Sequence, residues 1–78
     1  MQLSEAIRKR IVNLVIEKNI TLHRLALLSG IPYSTLSSFI NKKSKSPTID
    51  TILHICEGLN IELKDFFMDD LFKDVESE

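Results

Sequence analysis

Apolar residues recur at helical spacing along this 78-residue chain, in stretches separated by short polar breaks. Leu3, Ile7, Ile11, Leu14 and Val15 fall on one stripe in steps of three and four, the mark of a helix with one buried side. Ser4 is its expected N-cap, and the helix is expected to reach about Asn19, leaving Arg8, Lys9, Glu17 and Lys18 toward water. A second helix is expected from Leu22 to about Ser29, capped by Thr21, with Leu22, Leu25, Ala26 and Ser29 as its inner row. Ala26 is small where two helices approach closely. Gly30 suits the left-handed position that ends a helix, Ile31 anchors the turn, and Pro32 presets the start of the next helix. That third helix spans roughly Pro32 to Asn41 and buries Leu36, Phe39 and Ile40. Thr48 caps a fourth, Ile49 to about Gly58, with Ile52, Leu53, Ile55, Cys56 and Leu59 facing inward and Asp50 in its first turn. Asn60 breaks the pattern. Glu62 to Phe67 reads as a short fifth helix that sends Leu63 and Phe66 to the core.

The second and third helices with the glycine between them form a helix-turn-helix pattern. The outer side of the third is unusual. Ser34, Ser37, Ser38 and Asn41 lie three and four apart, and serine is a mediocre helix former, an odd choice for a merely solvated face. In a helix-turn-helix the second helix of the pair lies in the DNA major groove, so this side is the candidate for touching bases. Tyr33, Ser34, Thr35, Ser37 and Ser38 are expected to face base edges. Thr21, Asn41, Lys42, Lys43 and Lys45 are expected to hold phosphates, the lysines from the basic loop just beyond the third helix.

Charge supports the same orientation. Residues 1–46 carry eight Lys or Arg against two Glu, a net of +6; residues 47–78 carry two Lys against nine Asp or Glu, a net of −7. A basic half is able to face a polyanion while an acidic half turns away. The length allows one domain, expected over residues 1–68, with residues 69–78 as an acidic tail frayed at its end. Past Phe66, a continued helix would align Phe67 with Leu71 and Met68 with Phe72 as an apolar strip, the expected interface of a homodimer. The alternative, in which Leu71 and Phe72 fold back on their own subunit, stays open.

These residues resemble the Cro/phage-repressor class of helix-turn-helix regulators, also called the xenobiotic-response-element family. The resemblance runs from about Ile11 to Phe67 and rests on Leu25-Ala26, Gly30-Ile31, Ser34-Thr35-Leu36, Phe39, Asn41-Lys42, Pro47-Thr48, Leu53 and Leu59-Asn60-Ile61 leading to Leu63. It implies an all-α fold, a compact five-helix lambda-repressor-like domain with the helix-turn-helix at helices 2 and 3. It further implies binding of double-stranded operator DNA, usually as a dimer. The same family includes members that mainly bind other proteins, so a protein-interaction module, antitoxin-like or regulator-binding, is the alternative. Three features depart from the family pattern. Leu22 stands where Gln often touches the DNA backbone. Val15 and Ile40 stand where many members join helix 1 to helix 3 by a buried Arg–Glu pair. Pro32-Tyr33 opens the third helix where Ser or Thr is commoner.

Other chemistry has little to stand on. His23 and His54 lie on separate helices with no partner motif, and Cys56 falls on an inner face where it packs as a small apolar residue. A catalytic site, a metal site, a cofactor and a small-molecule ligand are not expected, since two glycines, two histidines and one cysteine furnish no phosphate-cradling loop or zinc-ligand spacing. No apolar run is long enough to span a membrane, no secretory signal is visible, and a single cysteine forms no internal disulfide. A cytoplasmic protein with no membrane partner is the expectation.

Overall fold

The computed structural model describes residues 1–41 and 46–77. The apolar stripes fold as α1 Leu3–Glu17, α2 Leu22–Ser29, α3 Tyr33–Ile40, α4 Ile49–Leu59 and α5 Leu63–Phe67, followed by one 3-10 turn, Asp70–Phe72. Among the described residues extended chain pairs once, at an isolated bridge between Gln2 and Glu76.

Three of the helices stop by one device. Asn19, Gly30 and Asn60 adopt left-handed φ angles of 56°, 68° and 58°. The next residue is isoleucine each time, and its amide donates to the carbonyl five residues upstream: Ile20 to Val15 at 3.1 Å, Ile31 to Ala26 at 3.0 Å, Ile61 to Cys56 at 3.0 Å. All three isoleucines pack against the core. The left-handed residue reverses the chain, the back-bond satisfies an orphan carbonyl, and the isoleucine secures the turn by burial. Helix starts are as economical. Thr21 Oγ1 accepts from the Arg24 amide at 3.0 Å and Thr48 Oγ1 from the Thr51 amide at 3.1 Å. Glu62 and Asp65 form a reciprocal capping box on α5.

Helix α1 begins differently from the expectation. Ser4 lies inside the helix, and the cap position is Gln2, whose side chain makes no capping bond. The first amides find backbone instead: Leu3 donates to the Glu76 carbonyl at 3.0 Å, and Glu76 donates to the Met1 carbonyl at 3.0 Å. The C-terminal stretch supplies what a side-chain cap would otherwise supply. It therefore returns to α1 as far as Glu76, where the sequence pattern suggested a frayed tail.

The core joins Ile7, Ile11 and Leu14 of α1 to Leu25 and Ala26 of α2, Leu36 of α3, Ile52, Ile55, Cys56 and Leu59 of α4, and Phe66 of α5. Helix α2 lies closely against α4. A Cβ placed on Gly58 would sit 2.8 Å from Ser29 Oγ and 2.9 Å from the Leu28 carbonyl carbon, so this approach needs a glycine as well as Ala26. Ser29 is buried there, and its hydroxyl has no hydrogen-bond partner among the described residues. Leu53, expected inside, is 40 % exposed. It sits one position round from the buried Ile52 and four from the exposed Ile49, on the outer edge of the α4 stripe.

The apolar strip expected beyond Phe66 does not form as a helix. Helix α5 ends at Phe67, Met68 leaves helical geometry, and Asp69 Oδ1 accepts from the Leu71 amide at 2.9 Å to open the 3-10 turn. Arg10 clasps this end of the helix. Its Nε donates to the Phe66 carbonyl at 2.7 Å, Nη2 to the Asp65 carbonyl at 2.7 Å, and Nη1 to the Asp69 carboxylate at 3.1 Å. These are carbonyls that a continuing helix would use; a charged planar donor satisfies both, and the Asp65 carbonyl also accepts from the Met68 amide at 3.4 Å. Phe67 and Phe72 meet edge-on at 5.0 Å and pack against the core. Leu71 is half-buried and Met68 exposed, so these four residues form no single outward face.

Candidate nucleic-acid interface

The turn Gly30–Pro32 delivers α3 with one side on the core and the other open. Leu36 is fully buried, and Phe39 and Ile40 are half-buried against the same cluster. On the open side Tyr33, Ser34, Thr35 and Asn41 are exposed, and Ser37 and Ser38 are half-buried. The helix, YSTLSSFI, carries no charge. Its hydroxyls are already arranged by local bonds. Ser38 Oγ donates to the Ser34 carbonyl at 2.9 Å, and Asn41 Nδ2 donates to Ser37 Oγ at 2.9 Å. Ser38 thus keeps its lone pairs for an incoming donor, and Ser37 keeps its proton for an incoming acceptor. Asn41 is the C-cap of α3.

Thr21 is exposed at the start of α2, with its hydroxyl used as the cap. Lys42, Lys43 and Lys45 lie outside the described residues. Two residues matter more to this surface than the pattern revealed. His23, on α2, stacks face to face on Tyr33 with ring centroids 3.6 Å apart and planes 7° apart. Arg10, counted with the basic half, is turned to the α5 end, where its side chain is only 12 % exposed. A periodicity signal for Arg10 existed: it lies three after Ile7 and four before Leu14, on the buried side of α1. Nothing in the sequence pattern links His23 to Tyr33.

Helix α1 packs against α3 without charge. Among the described residues no ion pair joins them, and Val15 and Ile40 both pack against the core. Ile40 also forms the floor of an open groove with Val12, edged by Glu5, Arg8, Lys9 and Asn13. Lys9 pairs with Glu5 at 3.5 Å. Cys56, buried on α4, is held as a neutral thiol: burial pushes its pKa up, against an opposing pull from Arg10. His54 lies exposed between Asp50 and Glu57, 3.6 Å from each. No helix among the described residues is long and apolar enough to cross a membrane.

Five helices, a left-handed glycine turn and an open polar side on the second helix of the pair define a helix-turn-helix domain. The chain belongs to the Cro/C1-type HTH DNA-binding domain family, whose model matches residues 10–71. It is similar to the prophage Lp1 protein 11, at 33 % identity and a TM-score of 0.82, over 96 % of this chain and 100 % of that one. It is also similar to an HTH_3 family transcriptional regulator from Vibrio cholerae, at 29 % identity and a TM-score of 0.77, over 87 % of this chain and 38 % of that one. No curated protein matches it.

Proposed function

We propose that the chain is a sequence-specific transcriptional repressor that acts in the cytoplasm and reads double-stranded DNA by laying α3 in the major groove. One observation carries this reading: the open side of α3 consists of short hydroxyl and amide side chains on a helix with no charge. Such a side approaches base edges closely, while charge for the phosphates comes from neighbouring segments. Tyr33, Ser34, Thr35, Ser37 and Ser38 face the bases in this proposal, and Thr21, Asn41, Lys42, Lys43 and Lys45 the phosphates. A homodimer would present two copies of α3 about 34 Å apart, one per successive major groove. Met68 and Leu71, backed by Phe67 and Phe72, are the proposed contact.

Selection of bound duplexes from a random pool tests the reading, followed by salt titration on the selected site. Affinity should fall steeply with salt, by about 0.9 in log–log slope for each phosphate neutralised. A Lys42, Lys43, Lys45→Ala triple variant should have a shallower slope; an unchanged slope removes that loop from the interface. A promoter carrying the selected site should lose output when the chain is expressed, and a gain would make it an activator. Sedimentation of the wild type beside a Met68→Asp, Leu71→Asp variant tests the dimer, which a monomeric wild type on its operator would exclude. The second reading, a protein-interaction module, draws on the outward Leu27 of α2, 71 % exposed. A pool from which no duplex is retained at low salt would favour it.

A further inference from the structure

His23 is the second residue of α2 and Tyr33 the first of α3, and both are exposed. Their rings overlap at 3.6 Å with a 7° tilt. Two neutral aromatic rings prefer offset or edge-on arrangements, with centroids about 4.5–7 Å apart, over so close a parallel sandwich. A cation above a phenol face reverses that preference, because the ring's negative quadrupole attracts it. The geometry is therefore one that an imidazolium stabilises. Imidazole is also the side chain whose ordinary titration falls near neutral pH.

We propose that His23 and Tyr33 form one unit of the DNA-contacting surface: the imidazole holds the phenol in a fixed plane at the start of α3, and its protonated form adds positive charge beside the phosphates. The proposal rests on the reading in which α3 enters the major groove. Among the described residues the neighbouring elements carry few charges. Arg24 follows His23 on α2, and Glu17 and Lys18 precede the helix; α3 carries none. Helix α4, which packs on α2, carries Asp50, His54 and Glu57, and its two carboxylates sit with His54. A phosphate arriving beside His23 favours the imidazolium, so DNA binding takes up a proton. By linkage, affinity rises as pH falls, by at most about tenfold per pH unit for each proton taken up.

The chain has one tyrosine and no tryptophan, so its intrinsic emission reports Tyr33 alone. The experiment follows that emission from pH 5 to pH 8 in the free protein, then measures affinity for a selected duplex over the same range at constant ionic strength. Sheared duplex DNA serves as the probe where selection returns no site. Wild type, His23→Gln and His54→Gln are compared, with circular dichroism confirming that each stays folded. Wild-type and His54→Gln emission should change between pH 5 and pH 8, and His23→Gln emission should stay flat. Wild-type affinity should rise several-fold from pH 8 to pH 6, and His23→Gln should lose most of that rise. Flat wild-type emission, or a His23→Gln variant that keeps the full pH slope, overturns the proposal and leaves the major-groove reading intact. Emission that titrates while no duplex binds at any pH overturns the major-groove reading and, with it, any DNA role for the pair.

Discussion

The two ends of this domain solve the placement of polar groups in opposite ways. At the α5 end, one guanidinium reaches three acceptors that lie 55, 56 and 59 positions away in sequence. On α3, each side-chain hydrogen bond spans four positions and stays within its own helix. The first arrangement ties distant segments together, and removing it takes the Arg10 donors from the Asp65 and Phe66 carbonyls. The second asks nothing of the rest of the fold. A surface whose polar bonds are all local is free to change its residues, and hence its DNA preference, without unfolding the molecule. The α5 end has no such freedom.

The sharpest way to break this contrast is at Arg10. Arg10→Ala removes the donor to the Phe66 carbonyl, the shorter of two donors to the Asp65 carbonyl and the partner of Asp69, at an expected cost of about 2–4 kcal/mol. In a domain of this size that lowers the melting temperature by roughly 10–25 °C. A melt within a few degrees of wild type would show that the clasp is ornamental. Gly58→Ala comes next. Its new Cβ meets the Leu28 backbone at 2.9 Å, and pushing α2 from α4 should cost about 1–3 kcal/mol despite better helix propensity. Chemical denaturation measures it, and a stabilised variant would contradict the close approach. Ser29→Ala removes a buried hydroxyl with no partner among the described residues, so stability should hold or rise by up to about 1 kcal/mol. A loss of more than that would reveal an acceptor for the hydroxyl. Smallest of all, Ser38→Ala on the open side of α3 should change stability by less than about 0.5 kcal/mol. It should still shift base preference at a few positions, by about 1 kcal/mol or less per pair. Large unfolding effects there would erase the difference between the two ends.

What the sequence made legible follows the same division. Thr21 and Thr48 were readable as caps, and Gly30 as a helix stop, because cap, stop and helix are neighbours in the chain. The inner rows of α2 and α3 followed from spacing alone, whereas on α1 Leu3 was placed inside but is exposed at the helix start, and the buried Ala6 was left out. Leu53 was misplaced because a helix stripe has edges, and apolar character does not say on which side of the edge a residue falls. The end of α5 was misjudged because the donor that satisfies its last carbonyls, Arg10, comes from the other end of the chain. The closure of the N-terminus by Glu76 uses backbone atoms only, so no side-chain pattern betrays it. At the candidate interface the open side of α3 was evident, whereas the His23–Tyr33 stack depends on how two helices cross.

The pairing of Gln2 with Glu76 brings the beginning and end of the folded chain side by side. A short peptide joining them would close a ring without disturbing any helix, and new ends opened elsewhere would give a circular permutant of the same domain. Closure deprives the unfolded chain of conformations far more than the folded one. A ring of this sequence should therefore melt above its linear parent, and a ring that melts lower would show that the two ends meet under strain.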